Sequence, residues 1–187
     1  MKHSEIRQTI VATATHLFYA NGYNKTGVNE IIDKAGIAKA TLYNHFPSKE
    51  DICLAYLQHK HAVFSRDIKA YCHAKPKGEK RVLAIFDYLH DFFQDNDFNG
   101  CWCIKTVAEI PKDNVKIKNE IKAQKFAFIT FINSLIGDNI GKSDSNEAES
   151  LGRKIYLLYE SAVAESHLQK ADWPIVEMKH LCSQIIE

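Results

Sequence analysis

The 187 residues carry 24 Lys/Arg against 23 Asp/Glu, with 45% hydrophobic and 11% aromatic content. That composition excludes a disordered chain, and no apolar run approaches the roughly 18–20 residues that span a bilayer. A net charge of +1 excludes a general basic field: residues 1–60 hold seven Lys/Arg against five Asp/Glu, so any nucleic-acid binding rests on a few placed cations.

Helical periodicity dominates the chain from its start. Ile6, Ile10, Thr13, Ala14, Leu17 and Phe18 recur at helical spacing, which predicts an amphipathic helix over 4–21, capped by Ser4 and ended by Asn21-Gly22. Two short helices joined by a tight turn follow at about 27–46, and a fourth helix runs from about 49 into the low 70s, closed by Lys75-Pro-Lys-Gly78. Five more helical segments are expected at 79–95, 100–110, 112–137, 146–169 and 174–187. Pro111 ends the short one, the stretch 137–145 reads as a polar loop, and Pro174 suits a first turn. The fold class is therefore all-α, with about nine helices: an N-terminal three-helix domain of helix-turn-helix layout over 1–50 and a larger helical domain over 51–187.

Residues 26–50 carry the chemistry. Gly27 can cap the second helix, with Glu30 reaching back to its backbone N–H, and Gly36 can take the left-handed turn after Ala35. The third helix, about 39–45, buries Leu42 and Phe46 and leaves Ala40, Thr41 and Asn44 on the opposite side, flanked by Tyr43 and His45. Small and polar side chains on an outward helix suit the major groove: Asn44 pairs with adenine, and Thr41 or Ala40 touches a thymine methyl. Lys39 and the Tyr43 hydroxyl suit phosphates, and Ser48 caps a fourth helix whose free N–H groups and Lys49 make a phosphate-binding end. The same spacing also fits a small three-helix core whose polar outer face binds nothing.

From Gly22-Tyr23 through Thr26, Ile31 and Ala35-Gly36 to the run Lys39-Ala-Thr-Leu-Tyr-Asn-His-Phe-Pro-Ser-Lys-Glu50, the sequence resembles the N-terminal signature of TetR-family transcriptional regulators. The resemblance covers about residues 4–55. It implies a homodimeric repressor, one recognition helix per subunit, and an all-α C-terminal domain that dimerises and binds a small-molecule effector. Carried over, Thr26, Tyr43 and Lys49 contact phosphates of double-stranded operator DNA, while Lys39, Ala40, Thr41, Asn44 and His45 face the groove. Ala38 and Gly27 depart from the usual Ser or Thr, at a cost of a few tenths to ~1 kcal/mol of local helix stability each.

The remainder is plainer. Phe64, Phe86, Phe93, Trp102, Phe128 and Tyr159 are the candidates for lining an effector pocket, which would suit a mostly apolar ligand; the same aromatics also read as ordinary core. Gly100-Cys-Trp-Cys103 admits two readings. Cys101 and Cys103 are thiol sensors of oxidants or electrophiles at a helix N-terminus, or they are small buried hydrophobes. Cys-x-Cys lacks a second Cys/His pair at zinc spacing, Cys72-His73 being the nearest, and no catalytic spacing is present; no metal, cofactor or enzymatic activity is expected. Stripes along the last two helices, Leu151-Ile155-Leu158-Tyr159-Ala162 and Ile175-Met178-Leu181-Cys182-Ile185, read as dimer material. Five scattered cysteines make no disulfide framework, and Met1–Arg7 lacks the apolar core of a signal peptide. The expected home is a reducing cytoplasm, with no membrane partner.

Overall fold

The computed structural model describes residues 3–95, 98–141 and 145–186. Among them run nine α-helices: α1 His3–Asn21, α2 Val28–Ala35, α3 Lys39–His45, α4 Lys49–His73, α5 Glu79–Gln94, α6 Trp102–Glu109, α7 Val115–Ile140, α8 Ser145–Gln169 and α9 Trp173–Ile186. The all-α expectation and its helix order hold. None of these helices is long and apolar enough to cross a membrane.

The chain divides into two compact units, Met1–Val63 with Trp102–Ala123, and Phe64–Cys101 with Gln124–Glu187. The first unit is built on Ile10, Ala14 and Leu17 of α1, Ile31 of α2, Leu42 of α3, and Ile52 and Leu57 of α4, each at most 1% exposed. Each of these isoleucine and leucine side chains contributes about 1.5–3 kcal/mol by leaving water, and the Ala14 methyl less. Short helices need fixed ends, and here polar contacts fix them. The Thr26 hydroxyl, fully buried, donates to Gly22 O at 2.8 Å and lies 3.2 Å from Leu17 O. Gly36 takes φ 65° and closes α2 through bonds to Ile32 O and Asp33 O. Ser48 caps α4: its Oγ accepts from Asp51 N at 3.1 Å and donates to Asp51 Oδ2 at 2.7 Å.

Sequence logic missed three of these ends. The described part of α1 begins at His3, so Ser4 sits inside the first turn and does not cap it. Gly27 does precede α2, yet Glu30 does not return to cap it; its carboxylate lies 3.4 Å from Lys34 one turn on, where an exposed ion pair competes with the box. The loop expected from Gly137 starts later. Ile136 is fully buried, Asn139 donates to Leu135 O at 2.8 Å, and α7 continues to Ile140, with Gly141 at φ 66° following. Of that loop, residues 142–144 lie outside the described residues.

The second unit closes on aromatic rings and aliphatics from α4, α5, α7, α8 and α9. Leu151, Ile155, Tyr159 and Ala162 of α8 and Ile175 and Cys182 of α9 are all buried in it. Most of the two stripes expected to meet a partner chain therefore meet their own chain. A periodic stripe reports which face is buried, not what buries it. Of the two stripes Leu181 stays outside, and on α8 and α9 Leu157, Leu168, Trp173 and Val176 join it, between 40% and 71% exposed.

Candidate nucleic-acid interface

The interface is assembled on α3. Leu42, fully buried, and Phe46, 3% exposed, root the helix in the first unit, and the Phe46 N–H closes it on Leu42 O at 2.9 Å. With that side fixed, helical geometry turns Lys39, Ala40, Tyr43 and Asn44 outward, all exposed, with Thr41 partly so. Ala38 precedes the helix in extended conformation and makes no side-chain cap, so the first N–H groups of α3 lack that support.

Two expected contacts are turned elsewhere. Thr26 has its hydroxyl committed to backbone carbonyls inside the unit, so it serves as an internal pin under the α1–α2 turn and not as a phosphate ligand. His45 does not stand free over the groove: its ring packs on His3 of α1, centroids 4.0 Å apart. Lys49 sits with its ammonium 4.4 Å from the Tyr23 ring centroid, and partial burial lowers its pKa from the ordinary value. The same partial burial, followed by Cys53 and Glu50, raises the pKa of Tyr23.

The beginning of α4 beside this face is held from the start of α7. Lys116 Nζ lies 2.6 Å from Asp51 Oδ1, and Asn114 Nδ2 donates to Glu50 Oε2 at 2.7 Å while its own Oδ1 caps Ile117 N. The turn between α1 and α2 is held from α6. Asn24 N donates to Glu109 Oε2 at 2.7 Å, Asn24 Nδ2 to Glu109 O at 3.0 Å, and Lys105 Nζ to Tyr19 O at 2.8 Å. A Cβ at Gly22 would lie 2.2 Å from Glu109 Oε1, so only glycine lets that carboxylate approach. These ties were not visible in the sequence, because Asn24 and Glu109 stand 85 positions apart.

The pocket candidates separate. Phe64, Phe86, Phe128 and Tyr159 form one nest in the second unit, with Phe128–Tyr159 centroids 4.9 Å, Phe64–Phe128 5.3 Å and Phe86–Tyr159 6.0 Å apart. Phe93 packs on Phe98 at 5.2 Å, and Trp102 belongs to the first unit, where the Lys60 ammonium lies 5.4 Å from its ring. Phe86, Phe128 and Tyr159 are buried, and burial raises the Tyr159 hydroxyl pKa well above its ordinary value. The two thiols separate as well. Cys103 is 2% exposed, whereas Cys101, partly exposed, has its Sγ 3.2 Å from Lys125 Nζ. That ammonium is itself 2.6 Å from both Glu160 carboxylate oxygens.

Residues 10–56 match the family described as "Bacterial regulatory proteins, tetR family". The chain is 25% identical over 142 residues to the fatty acid metabolism regulator protein of Bacillus subtilis, covering 74% of this chain and 70% of that one. It is 27% identical over 113 residues to the HTH-type transcriptional repressor NemR of Escherichia coli, covering 58% and 57%. Among solved structures, SCO4454, a TetR-family transcriptional regulator from Streptomyces coelicolor, matches with a TM-score of 0.88 at 26% identity, covering 98% of this chain and 95% of that one.

Proposed function

Because this chain belongs to the TetR family and is a DNA-binding transcriptional regulator, we propose that it works as a homodimeric repressor, released from a pseudo-palindromic operator by a small, mostly apolar ligand. The observation that carries the reading is α3, a short helix rooted by Leu42 and Phe46 with Lys39, Ala40, Tyr43 and Asn44 outward. In this reading Asn44 pairs with adenine, Ala40 and Thr41 meet thymine methyls, and Lys39, Tyr43 and Lys49 hold phosphates. Two copies would set their recognition helices about 34–36 Å apart. The second copy would seat on α8 and α9 through Leu157, Leu168, Trp173, Val176 and Leu181, an apolar set that solvent does not favour. The ligand would occupy the aromatic nest of Phe64, Phe128 and Tyr159 and stabilise an arrangement with the wrong helix separation.

Selection of duplex DNA from a randomised pool by the full chain tests this directly. Enrichment of a two-half-site motif is expected, and Asn44→Ala should lose about 1–3 kcal/mol of discrimination at one adenine. A pool that stays random after selection overturns the reading.

One observation favours a second input. Cys101 directly precedes α6, and the Lys125 ammonium 3.2 Å away would stabilise its thiolate, so an oxidant or electrophile would react there before Cys103. If Cys101→Ser leaves the release of DNA by a quinone unchanged, this input is excluded.

A further inference from the structure

The end of the recognition helix is held by an unusual set of side chains. His3 and His45 meet ring to ring, 4.0 Å apart and tilted by 44°. One turn along α1, the Arg7 guanidinium lies 4.9 Å from the Phe46 ring centroid. An apolar side chain would hold α3 there more cheaply, since imidazole beside imidazole and guanidinium repels as soon as either ring gains a proton. The His45 Nδ1 is shielded from solvent and has no hydrogen-bond partner. Loss of hydration, then His3, then Arg7 hold the His45 imidazole below its ordinary pKa.

Charged groups on the other elements near α3 are engaged elsewhere. Glu30 and Lys34 of α2 pair with each other, Lys49 of α4 lies on the Tyr23 ring, and Glu50 and Asp51 are taken by Asn114, Lys116 and Ser48. The groups acting on His45 from α1 are both cationic or able to become so. Among the described residues, burial, His3 and Arg7 are what act on His45, none of them an anion, and a duplex presents an anion with every phosphate.

We propose that His3 and Arg7, on the first turns of α1, complete with His45 a corner that grips one phosphate of the DNA backbone and takes up a proton from solvent as it does so. The inference rests on the DNA-binding reading and adds to it a contact from outside the helix-turn-helix. The phosphate oxygen accepts from Arg7 and from an imidazole N–H. The proton that makes the second ring nitrogen a donor comes from a buffer acid and stays on the ring while the complex lasts. Its sign follows from linkage: an imidazole beside a phosphate holds its proton to higher pH than the same imidazole beside Arg7 alone. Between those two values the complex carries more protons than its free components, and affinity falls as pH rises, by about tenfold per unit for one full proton.

The test is an anisotropy titration of the full chain with the enriched duplex, at fixed ionic strength from pH 5.5 to 8.5. The wild-type chain should lose affinity as pH rises, approaching about tenfold per unit. His3→Gln should flatten that slope, and calorimetry in two buffers of different ionisation enthalpy should show the matching loss of proton uptake. Arg7→Gln should weaken binding at every pH and reduce the slope against log salt by about one. His3 is exposed at the end of α1, so His3→Gln keeps the fold, and circular dichroism checks it. A flat wild-type profile, or a slope that persists unchanged in His3→Gln, overturns the clamp and leaves the regulator standing. Failure to enrich any duplex overturns both.

Discussion

In the unit formed by Met1–Val63 and Trp102–Ala123, two of the helices, α2 and α3, are eight and seven residues long and polar pins hold their surroundings in place. In the unit formed by Phe64–Cys101 and Gln124–Glu187, most helices are long and ring packs on ring, with Phe128 touching Phe64, Tyr156 and Tyr159. The difference teaches where function is written. A DNA reader works through side chains that point out, so its unit must fix short helices from within by directional bonds to backbone. An apolar core has no such direction, and the same residues that could receive a ligand also close on one another.

The contrast is sharpest in the thiols. Burial pushes Cys53 of the first unit up to about 12, and Cys72 and Cys182 of the second unit likewise to about 12. Against an ordinary thiol near 9, the thiolate fraction at neutral pH falls by about a thousandfold. Mass spectrometry after iodoacetamide treatment of the native chain should therefore find these three at least that much slower than a free cysteine peptide, with Cys101 modified first. Labelling of Cys53 ahead of Cys72 and Cys182 would show that polar pins hold the first unit less tightly than rings hold the second.

Core truncation gives the next largest effect. Phe86→Ala should cost about 3–5 kcal/mol and Leu42→Ala about 2–5 kcal/mol, because both side chains are fully buried and leave cavities. Hydrogen exchange should separate them: α5 and α8 quicken in Phe86→Ala, α2 and α3 in Leu42→Ala. Only the second should also abolish duplex binding at temperatures where the chain remains folded. Loss of binding of equal size in Phe86→Ala would break the division of labour between the units.

These particulars explain what could be read in advance. Helices appear in sequence as a period, and so all nine, the left-handed turn at Gly36 and the outward set on α3 were legible. So was the Ser48 cap, because Ser48 and Asp51 stand three apart and bond locally. Ties between distant segments leave no period. Asn24–Glu109 and Asn114–Glu50 join positions 85 and 64 apart, and nothing in either segment announces the other. His3 and Arg7 were a nearer miss: four positions apart on α1, they share a face, yet only the packed structure brings that face to His45 and Phe46. The inward turn of Thr26 was hidden for a different reason, since a hydroxyl next to a helix start can serve either a phosphate or its own backbone.

The smallest effect concerns the Asp51 carboxyl at the start of α4. Its pKa is held below the ordinary value, first by the hydrogen bond from Lys116 and then by that from Ser48, and Lys116 is raised by the same pairing. A folded-state value below the unfolded one contributes stability that is present above the unfolded value, near 3.9, and is lost as pH falls through the folded value. Lys116 is more than half exposed, so water and salt screen most of the pairing and a melting temperature would barely register it. A carboxyl-detected NMR titration reads it directly. Lys116→Ala should move the Asp51 midpoint upward, and by more than Ser48→Ala does, because the ammonium is the larger of the two causes. The reverse order would mean that the local cap, and not the tie to α7, fixes the start of α4. That end would then belong wholly to the short-range logic legible in the sequence, and the contrast drawn between local and distant ties in this unit would need to be redrawn.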